Sequence, residues 1–230
     1  MLWHPDHHDL FLFEIADLDD PHPDQWPAGP VAALPAASTT LGWARDYLSR
    51  SHPQLGRPGS VCPYVPASLR ESRFYVGARP GVPSVAEVID VMVRFKDWFT
   101  VLEQDREPTA APLTAALVLF PDVSTRDAPE VIDTAQRELK PGFVSAGLMV
   151  GQFHPAPPNE PGLWNPDFRP LRSPLPLLAI RRMVANDVPF LLSEPEYAAA
   201  YRDRFGRDRV PQAHRDRFDQ VLGSASKAAS

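Results

Sequence analysis

Proline constrains this chain more than any other residue: 28 of its 230 residues are proline, gathered in stretches that separate a few short apolar runs. Proline fixes φ and lacks the N–H that a helix interior or a central strand needs, so each cluster interrupts regular structure and stiffens its connection. The apolar runs must therefore supply the elements, and the clusters must become long, braced loops. With 43% hydrophobic and 23% charged residues, the chain has enough apolar mass for a core, which makes these the loops of a globular protein. A length of 230 residues favours one domain with a terminal extension.

The clearest element begins at Ser84. Ser84 followed by Glu87 is a capping box, and Val85, Val88, Ile89, Met92, Phe95, Phe99 and Leu102 recur at the three-and-four spacing of an amphipathic helix. Another helix is expected after the cap-type residues Ser38 and Thr39, with Leu41, Ala44, Tyr47 and Leu48 on one face and an end near Ser51. Further helices are expected over 129–139, 194–204 and 211–222, and strands over 72–78, 113–121, 142–155 and 176–184. The fold predicted is α+β (or α/β), a single sandwich-like domain with a central, mostly antiparallel or mixed sheet flanked by helices and long proline-rich loops. Residues 1–38 read as an N-terminal arm packed on the body, 39–223 as the domain, and 224–230 as a disordered tail.

The balance of 29 acidic against 23 basic residues, a net charge of -6, argues against a nucleic-acid surface. No apolar stretch reaches the roughly 18–20 residues of a membrane span, and the start of the chain lacks signal-peptide features, so a cytoplasmic protein is expected. A single cysteine excludes an internal disulfide and a multi-cysteine zinc site. Neither a dinucleotide fingerprint, a P-loop, HExxH nor GxSxG occurs, which leaves cysteine, histidine and an added cofactor to carry any chemistry.

Cys62 sits in "GRPGSVCPYVP" at 56–66, with Arg57, Arg70 and Arg73 near it in sequence. Cationic neighbours favour the thiolate, the form that ligates metal or attacks substrate. The plainer reading is a small buried hydrophobe. His154 closes the apolar run "GLMVGQF", where an imidazole suits an axial ligand, a proton donor, or a simple hydrogen bond. After it comes "PAPPNEPGLWNPDFRPLRSPLP", a long loop whose Trp164, Phe168 and Leu171 argue against full disorder. Arg169, Arg172, Arg181 and Arg182 form a basic cluster suited to carboxylates, or equally to surface ion pairs. Arg181 and Arg182 must face opposite sides of a strand. The histidines of "HPDHH" at 4–8 lie at a terminus and lack the context of a metal site, while Asp122 and Asp127 suit either acid–base roles or helix caps.

The stretches "GRPGSVCPYVP", "GLMVGQFHP", "GLWNPDFRPLRSPLPLLAIRRMV" and "DVPFL" resemble an actinobacterial family related to the haem protein of D-cycloserine biosynthesis. The resemblance covers about residues 40–205 and implies haem b and oxidative work on a nitrogen-containing amino acid derivative resembling hydroxyarginine. Cys62 or His154 would be the axial ligand, Arg57, Arg169, Arg172 and Arg181 would lie near propionates or substrate, and Trp164 and Phe168 would wall off solvent. Thiolate chemistry favours Cys62 as the proximal ligand, with His154 managing protons on the distal side. The expected protein is thus a haem-dependent oxidoreductase of specialised metabolism with a small-molecule substrate, without nucleic-acid or membrane partners, and compatible with a homodimer. The alternatives are cofactor-free chemistry by Cys62 with His154 as base, and a non-catalytic small-molecule-binding protein. Each catalytic reading expects the cysteine loop and the loop after His154 to face each other across one pocket.

Overall fold

A computed structural model describes residues 1–104 and 108–228. Its centre is a four-stranded sheet made of β3 (Phe74–Ala78), β4 (Ala115–Leu119), β5 (Leu148–Phe153) and β6 (Leu177–Arg182). The order is β3-β4-β6-β5, with β3 parallel to β4 and β6 antiparallel to both of its neighbours. The strands β3, β4 and β5 therefore run the same way, and β6 is inserted against them. The chain leaves β5, makes the long proline-rich loop, and returns as β6 between β5 and β4. That loop consequently lies at the carboxyl ends of β4 and β5, where Leu119 and Phe153 both pair with Leu177.

Alternation along these strands feeds two cores. Tyr75, Ala116, Val118, Val150, Leu178 and Ile180 point to one face, beneath α4 (Val85–Gln104) and α5 (Ala128–Ser145). Phe74, Val76, Leu117, Leu119 and Leu177 point to the other, beneath α2 (Ala28–Trp43) and α3 (Val65–Arg70). A third cluster joins Met149 and Met183 to α6 (Pro195–Phe205) and α7 (Arg215–Ala228). The architecture is the expected α+β sandwich. Among the described residues no helix is long and apolar enough to cross a membrane.

The N-terminal segment is part of the body. The strands β1 (Leu2–Trp3) and β2 (Phe11–Leu12) pair as a hairpin, followed by α1 (Ile15–Asp19), and Phe13 exchanges backbone hydrogen bonds of 2.8 and 3.1 Å with Val76. This covers the outer edge of β3, an edge that would otherwise invite pairing. The approach is close enough that a Cβ on Gly77 would meet the Phe11 carbonyl oxygen at 2.9 Å.

Several expected boundaries move. The helix expected from Ser38 starts at Ala28 and runs through Pro35, because Ala33, Ala37 and Leu41 bury its small-residue face and outweigh the lost hydrogen bond. It therefore crosses the division drawn at residue 38. Residues 142–145, expected as strand, extend α5 past Pro141, with Phe143 and Val144 buried. The tail expected to be disordered from 224 is helical through Ala228, and its last two residues lie outside the described ones.

Candidate functional site

Following α2, residues Ala44–Leu48 form a π-helical turn closed by a 2.9 Å hydrogen bond from the Ser49 N–H to the Ala44 carbonyl. Helical spacing sets Thr39, Trp43 and Tyr47 in a row along this ridge. The ridge meets Arg172, Ser173 and Pro174 of the long loop across a groove of about 370 Å³. Trp43 and Tyr47 stack with centroids 6.0 Å apart and planes 22° apart, and Phe153 meets Trp43 edge-on at 5.6 Å. The Tyr47 hydroxyl donates to the Pro170 carbonyl at 3.0 Å, which pins the loop two residues before Arg172. Burial pushes the Tyr47 phenol up to about 12, against the opposing pull of the Arg172 guanidinium, so the phenol stays neutral across the ordinary pH range. The other two hydroxyls of the groove are engaged as well: Thr39 donates to the Pro35 carbonyl at 2.8 Å and Ser173 to that of Leu175 at 2.6 Å.

The arginines singled out in the sequence divide sharply. Arg57 donates to the Pro58 and Val61 carbonyls and lies 4.9 Å over the Trp164 ring. Arg169 braces its own loop through Asn159 and the Pro166 carbonyl. Arg181 forms a two-pronged pair with buried Asp187 at 2.7 and 2.6 Å. Burial works against the Arg181 charge, but the bonds to Asp187 more than offset it and raise its pKa. Arg172 alone of these four makes no side-chain hydrogen bond or ion pair among the described residues.

Cys62 and His154 do not share a pocket. Cys62 is half-buried against the α2-side core, its N–H bonded to the Leu48 carbonyl at 2.9 Å, and it lies close enough to Arg181 and Tyr64 to bear on their ionisation. His154 is 0% exposed and turns to the other face, where its Nε2–H donates to Asp133 Oδ1 of α5 at 3.0 Å. Its Nδ1 is buried without a hydrogen-bond partner among the described residues. The sheet separates the two side chains, because β5 ends with Phe153 facing α2 and the next residue must face α5. The expectation of one Cys62–His154 pocket is thereby corrected, and with it the cofactor-free nucleophile–base reading, which needs the two in contact.

The two proline-braced loops nevertheless pack on each other. Phe168 stacks on His52 at 4.6 Å, the Asn165 side-chain N–H donates to the Gln54 carbonyl, and Arg57 covers Trp164. Gly56, at φ 78°, adopts a left-handed conformation, and a Cβ there would meet the Trp164 carbonyl oxygen at 2.8 Å. Phe168 is buried, but Trp164 is 57% exposed and walls off nothing. Asp122 caps the turn after β3 by accepting from the Gly81 N–H at 2.6 Å, and Asp127 accepts from Ser124 before α5. His4 is also engaged, its Nδ1 accepting from the Asp6 and His7 N–H groups. No group of three or more metal-ligating side chains occurs among the described residues.

These donors do not fit a haem held between Cys62 and His154. Cys62 packs on the α2 face of the sheet and His154 on the α5 face, so no one group can lie between them. His52 meets the Tyr47 ring edge-on at 5.9 Å, and its Nδ1 accepts the Gln54 N–H. In the sequence Thr39 reads only as a cap and Tyr47 only as part of a helix face, and Trp43 is not singled out, although their four-residue spacing is a readable signal.

The fold and groove define an α+β sandwich protein with an aromatic, single-arginine cleft at the carboxyl ends of its parallel strands. The chain belongs to the family described as a domain of unknown function, DUF6875, whose model matches residues 37–217. No curated protein and no solved structure matches it significantly.

Proposed function

We propose that this protein binds a small organic anion in the groove between the Thr39–Tyr47 ridge and residues 172–174. The observation that carries this reading is the uncommitted guanidinium of Arg172 beside a stacked Trp43–Tyr47 pair. A cation held at the rim of an apolar cleft, with no carboxylate among the lining residues, is complementary to an anion with an apolar body. Its place supports the reading too. The groove lies beside the carboxyl end of β5 on a long loop, and binding residues are disproportionately carried on loops held by a rigid sheet.

All three groove hydroxyls donate to backbone carbonyls, and neither a thiol, an imidazole nor a carboxylate lines the groove, so the geometry supports binding over bond-breaking. Isothermal titration of the folded chain with a panel of organic acids tests this. Arg172→Ala should weaken the tightest acid about tenfold or more. Unchanged affinity would move the site elsewhere. The haem-dependent oxidoreductase reading gains no support from the ligand geometry. A Soret band that survives desalting in protein produced with haem precursor, and that disappears in Cys62→Ala, would restore it.

A further inference from the structure

We infer that the ligand of this groove is a planar aromatic monocarboxylate, its carboxylate on Arg172 and its ring against the Trp43–Tyr47 wall. The inference rests on the groove being a ligand site and narrows what that site accepts.

Charge comes first. The lining residues are Thr39, Trp43, Tyr47, Arg172, Ser173 and Pro174, which include one cation and no acid. A single guanidinium fork matches the two oxygens of one carboxylate. Phosphate sites gather several donors, often a nest of backbone N–H groups, and here the Ser173 N–H is already given to the His154 carbonyl at 3.3 Å. An organic cation meets Arg172 and no counter-charge.

Shape comes second. The rings of Trp43 and Tyr47 lie within 22° of one plane orientation, and Phe153 props Trp43 from its edge. The Tyr47 ring cannot swing freely, because its hydroxyl is held by Pro170. The two rings stack on each other and both line the groove, and such a fixed aromatic lining rewards a flat π partner, ring face or edge, beyond what apolar area alone supplies. A sugar or polyol would need free donors, but the Thr39 and Ser173 hydroxyls already donate to carbonyls. A volume of about 370 Å³ stands at the small end of ligand pockets and suits a body of one or two rings.

The test is a titration of the full chain with benzoate, naphthoate, cyclohexanecarboxylate, benzylamine and inorganic phosphate, followed by calorimetry and tryptophan fluorescence. The aromatic acids should bind, and cyclohexanecarboxylate, equal in charge and similar in size to benzoate, should bind at least about threefold more weakly. Trp43→Leu should erase that preference while leaving the aliphatic acid's affinity in place, and Trp43→Phe, the safer variant for folding, should retain part of it. Arg172→Lys should weaken both acids by keeping the charge and losing the fork. Equal binding of benzoate and cyclohexanecarboxylate would overturn the aromatic class and leave the anion site standing. Phosphate or benzylamine binding as tightly as benzoate would overturn the carboxylate assignment. Binding of neither acid would overturn both this inference and the groove reading beneath it.

Discussion

The end of β5 presents two polar side chains in opposite conditions, His154 on the α5 face and Arg172, its backbone bridge partner, beside the α2 face. His154 has the richer chemistry and is fully buried, its Nε2 given to Asp133. Arg172 has only a fixed charge, yet it stands at an aromatic groove with no partner to neutralise it. The contrast teaches that an uncommitted group marks a binding site only where a ligand can reach it: His154 Nδ1 has no partner among the described residues but is fully buried, whereas Arg172 is exposed at the groove. The other nitrogen of His154 is spent on Asp133, and a buried polar group left without a partner costs about 1–3 kcal/mol.

Stability and binding should therefore separate between these two residues. The largest effect is expected at the buried pair: His154→Ala removes a packed ring and leaves Asp133 alone, and should lower unfolding stability by about 3 kcal/mol in urea titrations. The affinity of the surviving folded protein for an aromatic acid should stay within about twofold. A folded His154→Ala protein as stable as the original, but unable to bind, would reverse the two roles. Arg172→Ala should do the opposite, with stability changed by less than about 0.5 kcal/mol and about 1.4 kcal/mol or more of binding lost.

A second engaged imidazole sharpens the same contrast through pH. Burial, with neighbouring His7, holds the His4 pKa below its ordinary value of 6.5, so the folded state prefers the neutral ring. The unfolded chain binds the extra proton first; stability from this residue is intact above about pH 6.5 and falls as pH drops through that value toward the depressed folded one. The protection factors of the Phe13 and Val76 amides, with the intrinsic pH-dependent exchange rate divided out, should fall from about pH 7 to about pH 5, and His4→Phe should flatten that dependence. Protection that falls equally in His4→Phe would assign the effect to other groups. The smallest effect belongs to Cys62: Cys62→Ala should cost less than about 1 kcal/mol and leave ligand affinity unchanged, since the thiol is half-buried and lines no part of the groove. A large loss of binding in Cys62→Ala would return the sulfur to the site.

Much of the fold was legible because local signals agreed with tertiary packing. The capping box at Ser84 and Glu87 forms as read, with the Glu87 carboxylate accepting from the Ser84 N–H at 3.2 Å, and α4 follows it. Proline-bounded apolar runs became β4 and β6. Pro35 and Pro141 misled because a helix tolerates an interior proline when its buried face holds it, and that face is visible only in the folded sheet.

The site was less legible. The arginines could be singled out as a set, but which would be engaged depends on Asp187, Asn159 and Trp164, brought near by the fold. The separation of Cys62 from His154 depends on side-chain alternation at the end of β5 and on which helices cover each face, and only the folded packing shows the latter. The row Thr39–Trp43–Tyr47 was readable from spacing once the helix was known to run from Ala28 into a π turn.

The most direct measurement of the central claim follows the indole N–H signals of the five tryptophans by NMR as naphthoate is added. The account predicts a saturable shift of the Trp43 signal, with Trp98 and Trp164 unmoved, and loss of the shift in Arg172→Ala. A saturable shift at Trp164 with Trp43 unchanged would contradict it.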